Sequence, residues 1–197
     1  MNILTDRLPD KDKFGRAIRT DFRYWIAFLA CISDESLPQD MRVVKALELV
    51  YREIENERIG EHICGALEFI RGWHEAKEQV KENSNAVVDF EHDQHLIYAA
   101  FLQDYGIDLT RANMHYYLFM SLLFSVSQNT RFGEALYYRS VKIAPGCDKH
   151  TRKQIQEGKK IYAIKKAKVF DDLSEEEFLK EVKEQTKKLQ KAAPPPA

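Results

Sequence analysis

Met114-His115-Tyr116-Tyr117-Leu118-Phe119-Met120-Ser121-Leu122-Leu123-Phe124-Ser125-Val126 decides how the rest of this 197-residue chain is read. Ten of its thirteen positions are Met, Tyr, Leu, Phe or Val, and only His115, Ser121 and Ser125 are not. A helix apolar nearly all round prefers water on no face, so this one is expected in the middle of a packed domain. At about 1.5 Å per residue it would span roughly 20 Å, too short for a bilayer crossing, which needs about 20 apolar residues. The expectation is a mainly α protein, a single compact helical domain with Met114 to Val126 as its core helix.

The flanks read as two more helices. Leu96, Ile97, Ala100, Phe101 and Tyr105 recur at three- and four-residue steps and make one apolar face. Gly106 stands where a helix end wants a left-handed residue, with Ile107 beyond it to pack back on Leu102. Thr110 or Asn113 is available to cap the apolar helix, and Gln128-Asn129-Thr130 reads as a turn and cap after it. A further helix then carries Phe132, Ala135, Leu136 and Ile143 inward until Pro145-Gly146 stops it.

Upstream, Leu8 to Ile18 is a non-helical lead. Thr20-Asp21 caps a helix with Phe22, Trp25, Ile26 and Leu29 on one face, ending near Ser33. Ser36-Leu37-Pro38 opens another, whose buried stripe is Val44, Leu47, Val50, Tyr51 and Ile54. Ile59 to Arg71 is a third, with Ile63, Ala66, Leu67 and Ile70 inward and Gly72 as its stop. Lys77 to Asn85 is charged and polar and reads as a loop.

Downstream the character changes. Lys149 to Lys168 holds eight Lys or Arg and one acid, Glu157, while residues 1–148 carry seventeen basic and twenty-three acidic side chains. A solvated basic surface beside an acidic body is the preferred reading of that segment. A phosphate-binding face is the alternative, with only Tyr162 as aromatic interleaving. Ser174-Glu175-Glu176-Glu177 then forms a capping box before a last helix. Its narrow stripe of Phe178, Leu179, Val182 and Leu189 suits partner docking better than a core face. The organisation expected is therefore residues 1–165 as the helical body and 166–197 as charged linker, amphipathic helix and Pro-rich tail.

Several motifs along the body carry a resemblance. They are Asn2-Ile3-Leu4 with Leu8-Pro9; Thr20-Asp21-Phe22-Arg23 with Trp25; Asp89-Phe90-Glu91-His92-Asp93; and Ile97 to Thr110. His115-Tyr116-Tyr117, Tyr138-Arg139-Ser140 and Lys159-Lys160-Ile161-Tyr162-Ala163 complete the set. Together, over about Met1 to Ile164, they resemble the fifteenth-gene-product family of siphophages and prophages of Gram-positive bacteria. Relatives commonly show two tryptophans after the histidine, where this chain has Tyr116-Tyr117. The resemblance implies a short N-terminal β-hairpin, which the abbreviated Lys13 to Ile18 leaves open. It also implies a gene position between the major tail protein and the tape measure, that of tail-assembly chaperones.

Composition narrows the chemistry. A net charge of −1 provides no field for steering toward nucleic acid or an anionic membrane. Cys31, Cys64 and Cys147 are odd in number and far apart, which argues for a reducing compartment and against a disulfide framework. The polar, charged start has no apolar signal-peptide core, so the host bacterial cytoplasm is expected if the resemblance holds. His92 and His95 beside Asp89, Glu91 and Asp93 fall short of a metal signature, because acids at a helix start are favoured by the dipole anyway. His115 is expected to be a satisfied core or capping histidine. With no Gly-rich phosphate loop, nucleophile elbow or HExxH, neither catalytic residues nor a cofactor or metal are expected, and the chain is read as a non-enzyme.

Three functions compete on this reading. The resemblance implies a tail-assembly chaperone that binds the tape-measure protein, or other tail proteins, before the tail tube polymerises. A structural tail component retained in the virion is the second, and self-association fits either. A nucleic-acid-binding regulator using residues 149–168 is the third and weakest. No membrane partner is expected.

Overall fold

The computed structural model describes residue 2, residues 4–75 and residues 87–164. Seven α-helices occur among them: α1 (Phe22–Ser33), α2 (Gln39–Val50), α3 (Ile59–Glu75), α4 (Gln94–Tyr105), α5 (Tyr116–Leu123), α6 (Arg131–Ser140) and α7 (Lys149–Ile161). A single 3-10 turn, Asn56–Arg58, leads into α3. The protein is mainly α, as its periodicity implies. No strand forms among the described residues. In place of a hairpin, Lys11 and Ala17 make an isolated antiparallel bridge. The Asp12 carboxylate accepts the Phe14 and Arg16 N–H groups inside that loop, so a side chain replaces the ladder of a longer hairpin. Lys77 to Asn85 and the whole of 166–197 lie outside the described residues.

The described residues gather into two compact units. The first holds those up to residue 75 together with Met114–Tyr117, and the second holds residues 87–113 and 118–164.

In the first unit the Asp21 carboxylate caps α1 by accepting the Arg23 N–H, and α1 packs on α2. Trp25 is fully buried, stacked on Phe69 of α3 at 4.3 Å, and its indole N–H donates to the Arg19 carbonyl at 2.8 Å. The Arg19 guanidinium in turn donates to the Glu48 and Leu49 carbonyls, satisfying the last turn of α2. Ala46, Leu47, Val50 and Tyr51 are the buried side of α2, while Val44 and Ile54 are only half-buried.

The expected stop of α3 at Gly72 is not observed; the helix continues to Glu75. Gly72 has a packing role instead. A Cβ there would sit 2.6 Å from the Tyr117 hydroxyl, so the missing side chain is what lets that ring approach.

In the second unit α4 ends as expected. Gly106 is left-handed (φ 64°), and the Gly106 and Ile107 N–H groups donate to the Leu102 and Phe101 carbonyls. Thr130 caps α6, its hydroxyl accepting the Gly133 N–H and donating to the Ser127 carbonyl. Phe101 and Phe119 stack at 5.3 Å, and Met120, Leu123, Phe132 and Ala135 are buried with them. α6 stops at Ser140, short of Pro145-Gly146, and leaves Ile143 outside the helix and half-buried.

The reading of Met114 to Val126 needs correction. Its helix has only eight residues, starting at Tyr116 and ending at Leu123. Leu118 is 45% exposed, Phe124 36%, and Leu122 is half-buried. Leu118, Ser121, Leu122 and Ser125 follow the i, i+3, i+4, i+7 rule of one helical side. Ser121 is half-buried and Ser125, just past the helix, is exposed, which marks that side as the wetter one. Two turns of helix in a chain this size are covered on one side only, because small domains leave much apolar surface in water.

Candidate functional site

Several of the motifs converge on two clusters, one in each unit. In the first, the segment Thr20 to Phe22 runs antiparallel to Met114 to Tyr116. The Phe22 N–H donates to the Met114 carbonyl at 3.0 Å and the Tyr116 N–H to the Thr20 carbonyl at 2.7 Å. His115 sits at that crossing. Its Nδ1 accepts the Tyr117 N–H at 3.1 Å, capping the first turn of α5, a role the sequence assigned to Thr110 or Asn113. Its Nε2 lies 3.0 Å from the Pro9 carbonyl, which can only accept, so Nε2 carries the proton. The ring is therefore neutral with both nitrogens engaged. Burial lowers its pKa, against the opposing pull of the Pro9 carbonyl and the Asp10 charge. This is the satisfied capping histidine expected from its position.

A second polar knot in this unit escaped the sequence reading. Asp12 is buried, and its Oδ2 lies 2.9 Å from the Tyr51 hydroxyl, which is also 3.0 Å from the His62 carbonyl. The phenol has one proton for the two acceptors. Burial first, and the Asp12 carboxylate second, push the Tyr51 pKa far up. Arg16 pairs with Glu61 and reaches within 3.5 Å of Asp12. Gly65 makes room for the knot: a Cβ there would stand 2.3 Å from Asp12 Oδ2. The only sequence signal for it was an Asp three residues before the Gly15 turn.

In the second unit the hub is Arg139. Its Nη1 and Nη2 donate to Asp93 Oδ2 and Oδ1 at 2.6 and 2.8 Å, a two-pronged pair with both side chains buried. Nη1 also donates to the Val87 carbonyl and Nε to the Tyr162 carbonyl, at 2.9 and 2.7 Å. Three motifs meet here: the Asp89 to Asp93 run, Tyr138-Arg139-Ser140, and Lys159 to Ala163. Tyr162 stacks on Tyr138 and donates its hydroxyl proton to Glu134, which raises its pKa. Gly158 lets α7 press on the Tyr138 ring, where a Cβ would come within 2.3 Å.

This geometry also accounts for the acids that stood near His92 and His95. Asp93 is committed to Arg139, and Asp89 Oδ1 accepts the Glu91 and His92 N–H groups as a local cap. His92 and His95 themselves are exposed. No group of three or more His, Cys, Asp or Glu that could hold a metal occurs among the described residues. No described helix is long and apolar enough to cross a membrane. The described part of the basic segment forms α7 up to Ile161, capped by Asp148, with Ile155 and Gly158 buried, Lys149, Arg152, Lys153 and Lys160 exposed, and Lys159 half-buried. Phe178, Leu179, Val182 and Leu189 lie outside the described residues.

Several motif residues, among them Trp25, His115, Asp93, Arg139 and Tyr162, are thus joints of the fold. No curated protein and no solved structure matches the chain. The family model described as bacteriophage Gp15 protein matches residues 4–164, a span that contains both clusters. The chain belongs to that family and is a phage protein.

Proposed function

We propose that this protein acts in phage tail morphogenesis, as a tail-assembly chaperone that binds the tape-measure protein in the host cytoplasm before the tail tube polymerises. The family match over residues 4–164 carries this reading. His115, Asp93 and Arg139, within the matched span, are engaged in internal joints, which suits a scaffold for recognition better than a reaction centre. We read the chain as a binding protein without cofactor or metal, not as an enzyme.

The mode is helix-in-groove recognition, in which apolar anchors at three- and four-residue spacing meet an amphipathic partner. Leu102, Leu118, Phe124 and Tyr137 of the second unit expose large apolar side chains of the kind such contacts use. The stripe of Phe178, Leu179, Val182 and Leu189 is the other candidate contact, for the tape measure, another tail protein or a second copy.

The test is co-expression with the tape-measure protein of the same phage. The chaperone keeps that partner soluble, co-purifies with it from lysate, and is missing from purified virions. A protein found stoichiometrically in virions is instead a structural tail component. Binding to nucleic acid that weakens steeply with salt would mark the regulator.

A further inference from the structure

α2 ends at Val50, and Tyr51 leaves it as extended backbone (φ −102°, ψ 151°). Glu48 and Arg52 therefore miss the i, i+4 pairing that a continued helix would give them. Neither is in an ion pair among the described residues. With Val44, Tyr51 and Ile54 they line an open hollow of about 250 Å³ in the first unit. Val44 and Ile54 are half-buried and apolar; Glu48 and Arg52 are exposed and of opposite charge. The volume falls short of the roughly 300–1,000 Å³ of small-molecule pockets and suits a single side chain.

The same unit carries such a side chain in the open. Leu4 is 89% exposed. A lone exposed leucine is ordinary, but this one stands on a turn that uses its polar groups on itself. The Thr5 and Asp6 N–H groups donate to the Asn2 carbonyl at 3.1 and 2.8 Å. The Leu4 N–H donates to Asn2 Oδ1 at 3.0 Å, and the Asn2 N–H to Asp6 Oδ2 at 2.7 Å. Little ordering of the turn is left to oppose its docking. Two charges follow Leu4 closely, Asp6 and Arg7. Arg7 lies 3.5 Å from Asp10 with both side chains largely exposed, a pair weak enough to exchange partners.

We propose that the Leu4 turn of one copy inserts into the hollow lined by Val44 and Ile54 on a second copy. Charge complementarity selects the occupant: with Leu4 seated between the apolar walls, Arg7 meets Glu48 and Asp6 meets Arg52, two charges that have no ion-pair partner within their own copy. An apolar anchor in a pocket flanked by matched charges is how small contacts concentrate their affinity. Each copy carries both halves, so the association needs no second protein and does not depend on the tape-measure reading. A contact this small is transient and is populated only at high protein concentration.

The experiment follows the full chain by analytical ultracentrifugation up to about millimolar concentration, where weak association registers. The wild type is expected to associate reversibly. Leu4→Asp is expected to lower the association constant at least tenfold with an unchanged thermal midpoint, since the side chain is exposed in the single copy. Glu48→Arg and Arg7→Glu are each expected to lower it about three- to fivefold, and the two together in one chain to restore it, because the pair is re-formed with its charges exchanged. A chain that stays monomeric throughout overturns the proposal, as does association indifferent to Leu4→Asp or a charge exchange that fails to restore it. If the wild type is monomeric while Glu48→Arg loses co-purification with the tape-measure protein, the hollow takes that partner's side chain and the second copy is ruled out.

Discussion

The motif joints of the two units, at His115 and at Arg139, use different chemistry. At its motif crossing the first joins distant segments through uncharged contacts, a stacked Trp25–Phe69 pair and a neutral His115 whose two nitrogens are both satisfied, and it keeps its buried carboxylate, Asp12, in a separate knot with Tyr51 and Arg16. The second joins its segments through charge, with the Arg139 guanidinium set between the Asp93 carboxylate and two backbone carbonyls. A neutral joint loses only its contacts when one side is removed. A buried ion pair leaves the surviving charge stranded in a medium that solvates it poorly. The Arg139 joint should therefore be more brittle to single substitutions than the His115 joint.

Arg139→Met tests this most severely. Removing one partner of a buried pair costs about 3–5 kcal/mol, and Asp93→Leu in the same chain should recover much of the loss by removing the orphaned carboxylate. Chemical denaturation measures both, and hydrogen exchange locates the damage. Added exchange confined to residues 87–113 and 118–164 keeps the comparison intact; an equal rise in the first unit would break it.

Gly65→Ala probes the first unit. A Cβ there would overlap Asp12 and Tyr51, and overpacking of this kind costs about 1–3 kcal/mol. A destabilisation above that of Arg139→Met would put the Asp12 knot ahead of the Arg139 joint.

Leu122→Asp comes next. Its half-buried site points to about 1 kcal/mol with the helical circular dichroism retained, whereas Phe119→Asp should unfold the second unit by burying an unpaired charge.

The smallest effect concerns pH. His115 is neutral in the folded state with its pKa lowered by burial, so the unfolded chain binds its proton first on acidification. Its contribution to stability is full above the unfolded value of about 6.5 and is lost as pH falls below it, toward the lower folded pKa. The wild type should therefore lose more stability than His115→Gln between neutral and mildly acid pH. Parallel pH dependences would show that the neutral joint has no titrating part.

What was legible in the sequence was local. The Asp21 and Thr130 caps, the left-handed Gly106 and the mainly α class follow from rules that act within a few residues. So does His115 as a satisfied group at the opening of α5. What was illegible was pairing across the chain. Arg139 and Asp93 are 46 positions apart, and nothing in either neighbourhood names the other. Asp93 looked instead like a helix-start acid near two histidines.

Gly72 misled for a related reason. A glycine near a helix end reads as a stop, but this one is required by Tyr117, which the chain delivers from elsewhere. The apolar run from Met114 misled through averaging, since its composition suggested burial all round while half-buried Ser121 and exposed Ser125 recorded its wetter side.

One consequence of the Arg139 hub concerns the order of the chain itself. Val87 opens the second unit's described part and Tyr162 stands almost at its end, yet both carbonyls are held by the same guanidinium. The two ends of its described part are therefore neighbours. A linker of a few glycines, at about 3.5 Å per residue, would join them, and new termini could be opened in the exposed turn around Pro145-Gly146. Met114–Tyr117, which belong to the first unit, interrupt this one, so a permuted chain carries them along; it should keep the Arg139–Asp93 pair, which is indifferent to the order in which the ribosome makes its segments.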